Sequence, residues 1–180
     1  GLVGQPAYFV SKEEDWKRAA ETIAAAADRA QAANVLLTIE PINRYEVGVV
    51  NSVDEAMRMA KQIDHSHVRA MGDTFHMQME EPDGIANAFR RGGGYWIQHV
   101  HAADNTREAP GLGTMDWKEI LRALIDIGYE GGVSLEPLPK GSQPYEAREG
   151  KIPPDVLDAS LRFGLDHLRW ALEVARRPLS

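Results

Sequence analysis

The stretch Val35-Leu36-Leu37-Thr38-Ile39-Glu40-Pro41 is a short apolar run that stops at Glu40. A nearly continuous apolar run of this length is typical of a strand that is buried on both faces in a parallel sheet. The residues before it, about 12–33, carry apolar side chains at helical spacing behind a capping box formed by Ser11 and Glu14. This part of the chain therefore predicts a helix followed by a buried strand.

The same pattern of helix and short strand continues toward the C-terminus. Strand ends recur roughly every 30 residues, which is the size of one βα unit. The glycines at 92–94 precede a predicted strand and are not followed by the Lys-Ser/Thr pair of a phosphate loop, so they predict a turn. After the first unit, the predicted helices cover about 52–63, 82–90, 115–127 and 155–176, and the predicted strands cover 68–71, 95–100 and 132–135.

Four βα units amount to half of a closed eight-stranded α/β barrel, which needs about 200 to 250 residues. The sequence predicts one partial barrel domain over residues 1–180, with a loop at 1–11 and a long loop at 137–154 after the last strand. The long loop is either a lid over a site or a connector to the final helix. Because four strands cannot close, we expect the chain to be a fragment or to be completed by another chain, as in a homo-oligomer.

Composition narrows the classes of function. With 43% hydrophobic and 26% charged residues, the chain is in the range of a globular domain. It has neither an apolar run of about 18 residues nor a signal peptide, so a cytoplasmic protein without membrane contact is expected. A net charge of −7 disfavours nucleic acid as a partner. The absence of cysteine leaves His, Asp and Glu as the strong metal ligands.

All four predicted strands end at a potential metal ligand: Glu40, Asp73, His101 and Glu136. The carboxyl ends of parallel strands meet at one edge of a sheet or barrel, so these side chains should converge. Three neighbouring carboxylates repel one another unless a cation lies between them. One polar residue after a strand is ordinarily just the start of a loop, but four in register predict a site for one divalent cation. Mn²⁺ is the preferred ion, with Mg²⁺, Co²⁺ or Zn²⁺ as alternatives.

Three further residues have both a functional and a structural interpretation. His99 lies two residues before His101 and faces the same side of the strand, so it is interpreted as a core or supporting histidine. His76 is predicted on the loop that leaves the second strand, where it either reaches substrate oxygens or is simply solvated. Arg107 either anchors an anionic or enediolate oxygen or is a surface charge.

The chain resembles the xylose-isomerase-like TIM-barrel superfamily, specifically sugar phosphate isomerases and epimerases of the ketose 3-epimerase type. The resemblance implies that the chain is the C-terminal half of a (β/α)8 barrel. It also implies that Glu40, Asp73, His101 and Glu136 are the metal ligands, and that Glu46, His76 and Arg107 contact the substrate. The stretches that carry it are Ile39–Glu46, Gly72–Met77, His99–Arg107 and Gly128–Glu136.

The resemblance implies a metal-dependent enzyme that epimerises a ketose, or a ketose phosphate, next to its carbonyl. Glu40 and Glu136 would exchange protons with the substrate through a cis-enediolate. The same cation is compatible with an aldose-ketose isomerase, a dehydratase or a lyase. A zinc endonuclease of the same superfamily would need more histidine ligands. The alternative of another class is a half-barrel that binds metal, sugar or a partner without turnover.

Overall fold

The computed structural model describes residues 11–143, 146 and 149–178. The loop predicted at 1–11 lies outside this part except for Ser11, and the loop predicted at 137–154 is described only in part. The helices are α1 (Lys12–Ala32), α2 (Val53–Ile63), α3 (Thr74–Glu80), α4 (Ile85–Trp96), α5 (Trp117–Asp126) and α6 (Pro154–Ala175). The strands are β1 (Leu37–Ile39), β2 (Val68–Asp73), β3 (Ile97–Ala102) and β4 (Gly132–Leu135).

The four strands form one parallel sheet in the order β1-β2-β3-β4. The predicted fold class, parallel strands alternating with helices as in half of a TIM barrel, is confirmed. The register places Asp73 at the end of β2 directly beside His101 on β3. Both outer strands have one edge without a neighbouring strand in the described part of the chain. On β4, Val133 is 38% exposed.

The helix starts and the core follow from the sequence pattern. The Ser11 hydroxyl accepts the Glu14 N–H at the start of α1, and the Ser52 hydroxyl accepts the Glu55 N–H at the start of α2. The longer helices pack against one another in the order α1, α2, α4, α5 and α6, and α1, α2, α4 and α6 also contact the sheet. The largest fully buried apolar side chains are Val53, Met59, Val68, Met77, Phe89, Ile97 and Val100. No helix in the described residues is long and apolar enough to cross a bilayer.

Two local predictions were wrong. His76 does not lie on a loop, because Asp73 caps a short helix, α3, that begins immediately after β2. The glycines at 92–94 do not form a simple turn between elements: they lie within α4, which continues to Trp96 with a break at Gly93, where φ is 67°. Gly93 provides this break because glycine adopts positive φ at little cost.

Gly72→Ala is expected to lower the free energy of unfolding by about 1–3 kcal/mol, the usual cost of overpacking a core. A methyl group at position 72 would lie 2.6 Å from both Met77 Sδ and Phe89 Cε1, inside the core. Urea denaturation measures the loss. Gly48→Ala is the matched control, because a methyl group there meets no atom within 4 Å. Equal stability of the two variants would contradict the close packing behind β2.

Candidate metal centre

Glu40, Asp73, His101 and Glu136 converge at the carboxyl ends of the four strands. Each side chain offers one potential ligand atom, and these atoms all lie within 4.8 Å of one another. Glu40 directly follows β1, Asp73 and His101 belong to β2 and β3, and Glu136 directly follows β4. The Glu136 N–H donates to the Ala102 carbonyl, so Glu136 continues the hydrogen-bond ladder of the sheet. The sheet register therefore sets the spacing of the cluster.

His101 lies between the carboxylates of the cluster. Its Nδ1 is 3.0 Å from Glu40 Oε1, 3.0 Å from Glu136 Oε2 and 3.9 Å from Asp73 Oδ2. The four side chains differ in burial: that of Asp73 is 0% exposed and that of Glu136 is 50% exposed. One imidazole nitrogen thus faces three carboxylates.

The two oxygens of Asp73 have different partners. Oδ1 accepts the N–H groups of Phe75 and His76, at 2.8 and 3.4 Å, and so caps α3. Oδ2 is the oxygen nearest His101, and it also accepts from Arg107. The cap therefore orients the carboxylate and leaves one oxygen toward the cluster.

Arg107 connects two carboxylates of the cluster. Its guanidinium donates to Asp73 Oδ2 at 2.8 Å and to Glu136 Oε2 at 2.6 Å, and it lies over the Phe75 ring at 4.9 Å. Burial raises the pKa of the Glu136 carboxyl, although the charges of Arg107 and His101 act in the opposite direction. Arg107 is thus part of the site rather than a solvated surface charge.

His76 and Glu46 are linked through Asn43. The Asn43 side-chain amide lies 2.8 Å from Glu46 Oε1 and 2.8 Å from His76 Nδ1. His76 is only 6% exposed, and burial lowers its pKa against the opposing charge of Asp73. His76 Nε2 is 3.9 Å from Asp73 Oδ2. The structure therefore places both predicted substrate residues beside the cluster, with His76 far more buried than a solvated loop histidine.

A cleft of about 430 Å³ opens over the cluster. A small polar molecule of the size of a sugar fits a space of this order. The His99 ring centroid is 5.1 Å from that of His101. The cleft is lined by Glu40, Ile42, Glu46, Phe75, His76, Arg107, Glu136 and Leu138.

The buried carboxylate of Asp104 organises the loop that carries Arg107. Its Oδ1 accepts the N–H groups of Asn105 and Met115, and its Oδ2 accepts the Gly111 N–H and the Trp117 Nε1–H. Burial disfavours the charged carboxylate, but these four donors outweigh burial and lower the pKa of Asp104. The Asp104 carbonyl also accepts the Arg107 N–H, and Arg107 has a φ of 62°. Asp104 thus holds the strained turn that presents Arg107.

Asp104→Asn is expected to lower the free energy of unfolding at neutral pH by about 1–3 kcal/mol, because the new amide NH2 would face two buried donors. The folded-state pKa of Asp104 is below its usual value of 3.8. Its contribution is therefore complete above that value and is lost as the pH falls through the folded-state pKa. Urea denaturation at several pH values should show the difference between variant and wild type shrinking in acid.

The exposed Asp64→Asn is the control for this substitution, and it should change the free energy of unfolding by no more than about 0.5 kcal/mol. A destabilisation by Asp104→Asn that stayed constant down to pH 2 would contradict the assignment of the charged form.

Sequence reasoning missed Asn43, Phe75 and Asp104. Asn43 and Phe75 act through contacts between helix α3 and the loops after β1 and β3, which spacing along the chain does not reveal. One feature of the sequence could have indicated a structural role for Asp104. It lies in the loop between β3 and α5, and aspartate side chains in such loops often accept hydrogen bonds from nearby backbone N–H groups.

The comparisons with known proteins agree with this geometry. The profile described as xylose isomerase-like TIM barrel matches residues 2–176. The D-psicose 3-epimerase of Ruminiclostridium cellulolyticum is 37% identical over 171 residues, which cover 91% of this chain and 58% of that protein. That of Agrobacterium fabrum is 40% identical over 131 residues, covering 73% of this chain and 45% of that protein.

A crystal structure of D-psicose 3-epimerase with D-tagatose from Clostridium cellulolyticum H10 superimposes with a TM-score of 0.83 at 32% identity. The match covers 94% of this chain and 61% of that one, so the chain spans less than two thirds of these relatives. The resemblance noted in the sequence is confirmed. Because the profile covers nearly the whole chain, the chain belongs to the xylose isomerase-like TIM barrel family.

Proposed function

We propose that this chain supplies the metal-binding side of the active site of a ketose epimerase. The observation that carries the proposal is the convergence of three carboxylates and one imidazole within 4.8 Å beneath a cleft that also contains Arg107. The relatives named as D-psicose 3-epimerases support a ketose as the substrate class. A free sugar and a sugar phosphate are both compatible with the cleft.

The donor set fits a divalent cation. Glu40, Asp73, His101 and Glu136 would hold it through oxygen atoms and one imidazole nitrogen, a mixture that suits Mn²⁺, Mg²⁺ or Co²⁺ and also permits Zn²⁺. Mn²⁺ is the ion we propose first. When bound, the cation would polarise the ketose carbonyl and so acidify the adjacent C–H group.

Glu40 and Glu136 are the proposed proton-transfer groups. Each has one oxygen 3.0 Å from His101 Nδ1, so both carboxylates approach the same imidazole nitrogen. One glutamate removes the proton next to the carbonyl and gives a cis-enediolate. The other returns a proton to the opposite face, which inverts the carbon centre. The handedness of the substrate decides which glutamate acts first.

Arg107, His76 and Glu46 are proposed to bind the sugar oxygens. The Arg107 guanidinium supports negative charge on the enediolate oxygens because it is always protonated and presents several N–H donors. Its stacking on Phe75 keeps it over the cleft. The side chains of Arg107, His76 and Glu46 line the same cleft as Glu40 and Glu136.

The open edges of the sheet favour a second candidate, a half-barrel that binds metal or a partner without turnover. β1 and β4 each lack a neighbour on one side in the described residues, and such edges invite pairing with further strands. We propose that further strands, from a partner chain or from a second copy of this chain in a homo-oligomer, cover these edges in the active form.

Light scattering together with an activity assay distinguishes the two candidates. A stable monomer without activity favours the second candidate, and an active assembly favours the epimerase.

The test is incubation of Mn²⁺-loaded protein with D-psicose, D-fructose and D-tagatose in deuterated water, followed by NMR. We expect deuterium at the carbon next to the carbonyl, together with the epimeric ketose. An aldose would instead indicate an isomerase, and a deoxy-keto product a dehydratase. Metal binding with neither deuterium incorporation nor new product, even in an assembled form, would contradict the enzyme proposal.

A further inference from the structure

The Asn43 side chain has a defined partner at both ends. Asn43 is 2% exposed. Its Oδ1 accepts the Tyr45 N–H at 3.1 Å. Its Nδ2 lies 2.8 Å from Glu46 Oε1 and 2.8 Å from His76 Nδ1. The amide thus joins the loop after β1 to helix α3.

Two of these partners leave no choice for the amide orientation. A backbone N–H can only donate, so the atom facing Tyr45 must be the carbonyl oxygen. A glutamate carboxylate only accepts, so the atom facing Glu46 must be the NH2 group. A flipped amide would set two donors against each other at one end and two acceptors at the other. The assignment therefore rests on the chemistry of the partners and not on the similar shapes of the two amide atoms.

We propose that Asn43 is a positioning residue that holds His76 in the tautomer with its proton on Nε2. The second N–H of Asn43 points to His76 Nδ1, so Nδ1 must accept and carries no proton. A neutral imidazole then has its N–H at Nε2, because one ring nitrogen is the donor when the other is the acceptor. His76 Nε2 belongs to the side chain that lines the cleft.

This arrangement has a consequence that rests on the proposed function. His76 presents a hydrogen-bond donor to a sugar oxygen and does not act as the proton-abstracting base through Nε2. Asn43 also engages Glu46 Oε1, which leaves Oε2 to accept a hydrogen bond. A sugar hydroxyl both accepts and donates, so it is matched to the donor on His76 and the acceptor on Glu46. Asn43 thereby selects a hydroxylated ligand at this end of the cleft.

The first test measures the tautomer in the wild-type chain without metal or sugar. Histidine labelled with ¹⁵N is observed in long-range ¹H–¹⁵N correlation spectra at about pH 8, above the usual histidine pKa near 6.5. The His76 signals are identified by their loss in His76→Gln. We expect an unprotonated Nδ1 resonance and a protonated Nε2 resonance. The opposite pattern would overturn the proposal.

The second test removes the N–H donors of the Asn43 side chain but keeps its size and shape. In Asn43→Asp, studied at about pH 8, the ionised carboxylate can only accept, so His76 Nδ1 should become protonated and its acceptor-type resonance should be lost. Asn51→Asp is the matched control: Asn51 Nδ2 donates only to the backbone carbonyls of Ile42 and Val47 in the same loop. His76 should keep its tautomer there. An unchanged Nδ1 resonance in a folded Asn43→Asp variant would refute the role of Asn43.

The experiments distinguish a failure of the tautomer assignment from a failure of the proposed function. The spectra need no turnover, so an Nε2–H tautomer in a chain that binds no ketose supports the inference about Asn43 and contradicts the sugar site. In an assembly that catalyses epimerisation, Asn43→Asp should raise KM for the ketose more than it lowers kcat. The reason is that the donor lost from the cleft, the His76 Nε2–H, is proposed to contact a substrate hydroxyl and not the reacting carbon. A lowered kcat with unchanged KM would contradict the role of this end of the cleft in sugar binding.

Discussion

Asp73→Asn should abolish tight binding of Mn²⁺, raising Kd by at least about 100-fold. Loss of a group that only supports a ligand typically weakens metal affinity by about 10- to 100-fold, so loss of the ligand itself should reach or exceed the upper end of that range. Asp73 is fully buried and directs only Oδ2 toward the cluster. An asparagine keeps an oxygen for the cap of α3, but its NH2 group would replace the ligand oxygen. Calorimetric titration of metal-stripped protein measures the change.

Asp116→Asn is the matched control. Asp116 caps α5 by accepting the N–H groups of Lys118 and Glu119, so the two substitutions perturb a helix cap in the same way. Asparagine is about as good a cap as aspartate, so both variants should fold. The control should bind Mn²⁺ as the wild type does. If Asp73→Asn bound Mn²⁺ as tightly as the wild type, the convergence of the four side chains would not represent a metal site.

The order of elements could be predicted because the information is local. The first strand lies within a short apolar run, and the helices α1 and α2 each have an amphipathic period behind a capping serine, Ser11 or Ser52. The convergence of Glu40, Asp73 and His101 followed from the rule that parallel strands end at one edge. The fold and the position of the cluster were therefore accessible from the sequence.

The short helix α3 could not be predicted because its residues carry no helical pattern of their own. Seven residues are too few for a stable isolated helix. Its formation depends on the cap by Asp73 and on burial of His76 and Met77 beneath neighbouring elements. Tertiary context also explains the glycine at position 92, where a methyl group would collide with Ile97.

The supporting contacts of the site were also inaccessible from the sequence. Arg107 reaches Asp73 and Glu136 from a turn with positive φ that Asp104 holds. Nothing in the spacing of these residues distinguishes that arrangement from a solvated arginine. Similarly, the link from Asn43 to His76 joins residues 33 positions apart. Such contacts depend on loop conformations, which local periodicity does not encode.

Glu136→Gln is expected to lower the epimerisation rate of an active assembly by about 10²- to 10⁴-fold, the range for loss of a general acid or base. The amide can neither take nor return a proton, and it is also a weaker ligand. Its effect on metal affinity is separated by assaying at saturating Mn²⁺. NMR in deuterated water follows both the epimer and the deuterium at the carbon next to the carbonyl.

Glu130→Gln is the matched control, because Glu130 is exposed just before β4, at the opposite end of the strand from Glu136. Its rate should equal that of the wild type. In Glu136→Gln, the substrate epimer whose proton Glu40 removes should still exchange with deuterium without inversion, since only the return of a proton from the opposite face is lost. Exchange without inversion would assign Glu40 and Glu136 to opposite faces of the ketose. Full epimerisation by Glu136→Gln would exclude the two-glutamate mechanism and leave Glu136 as a metal ligand alone.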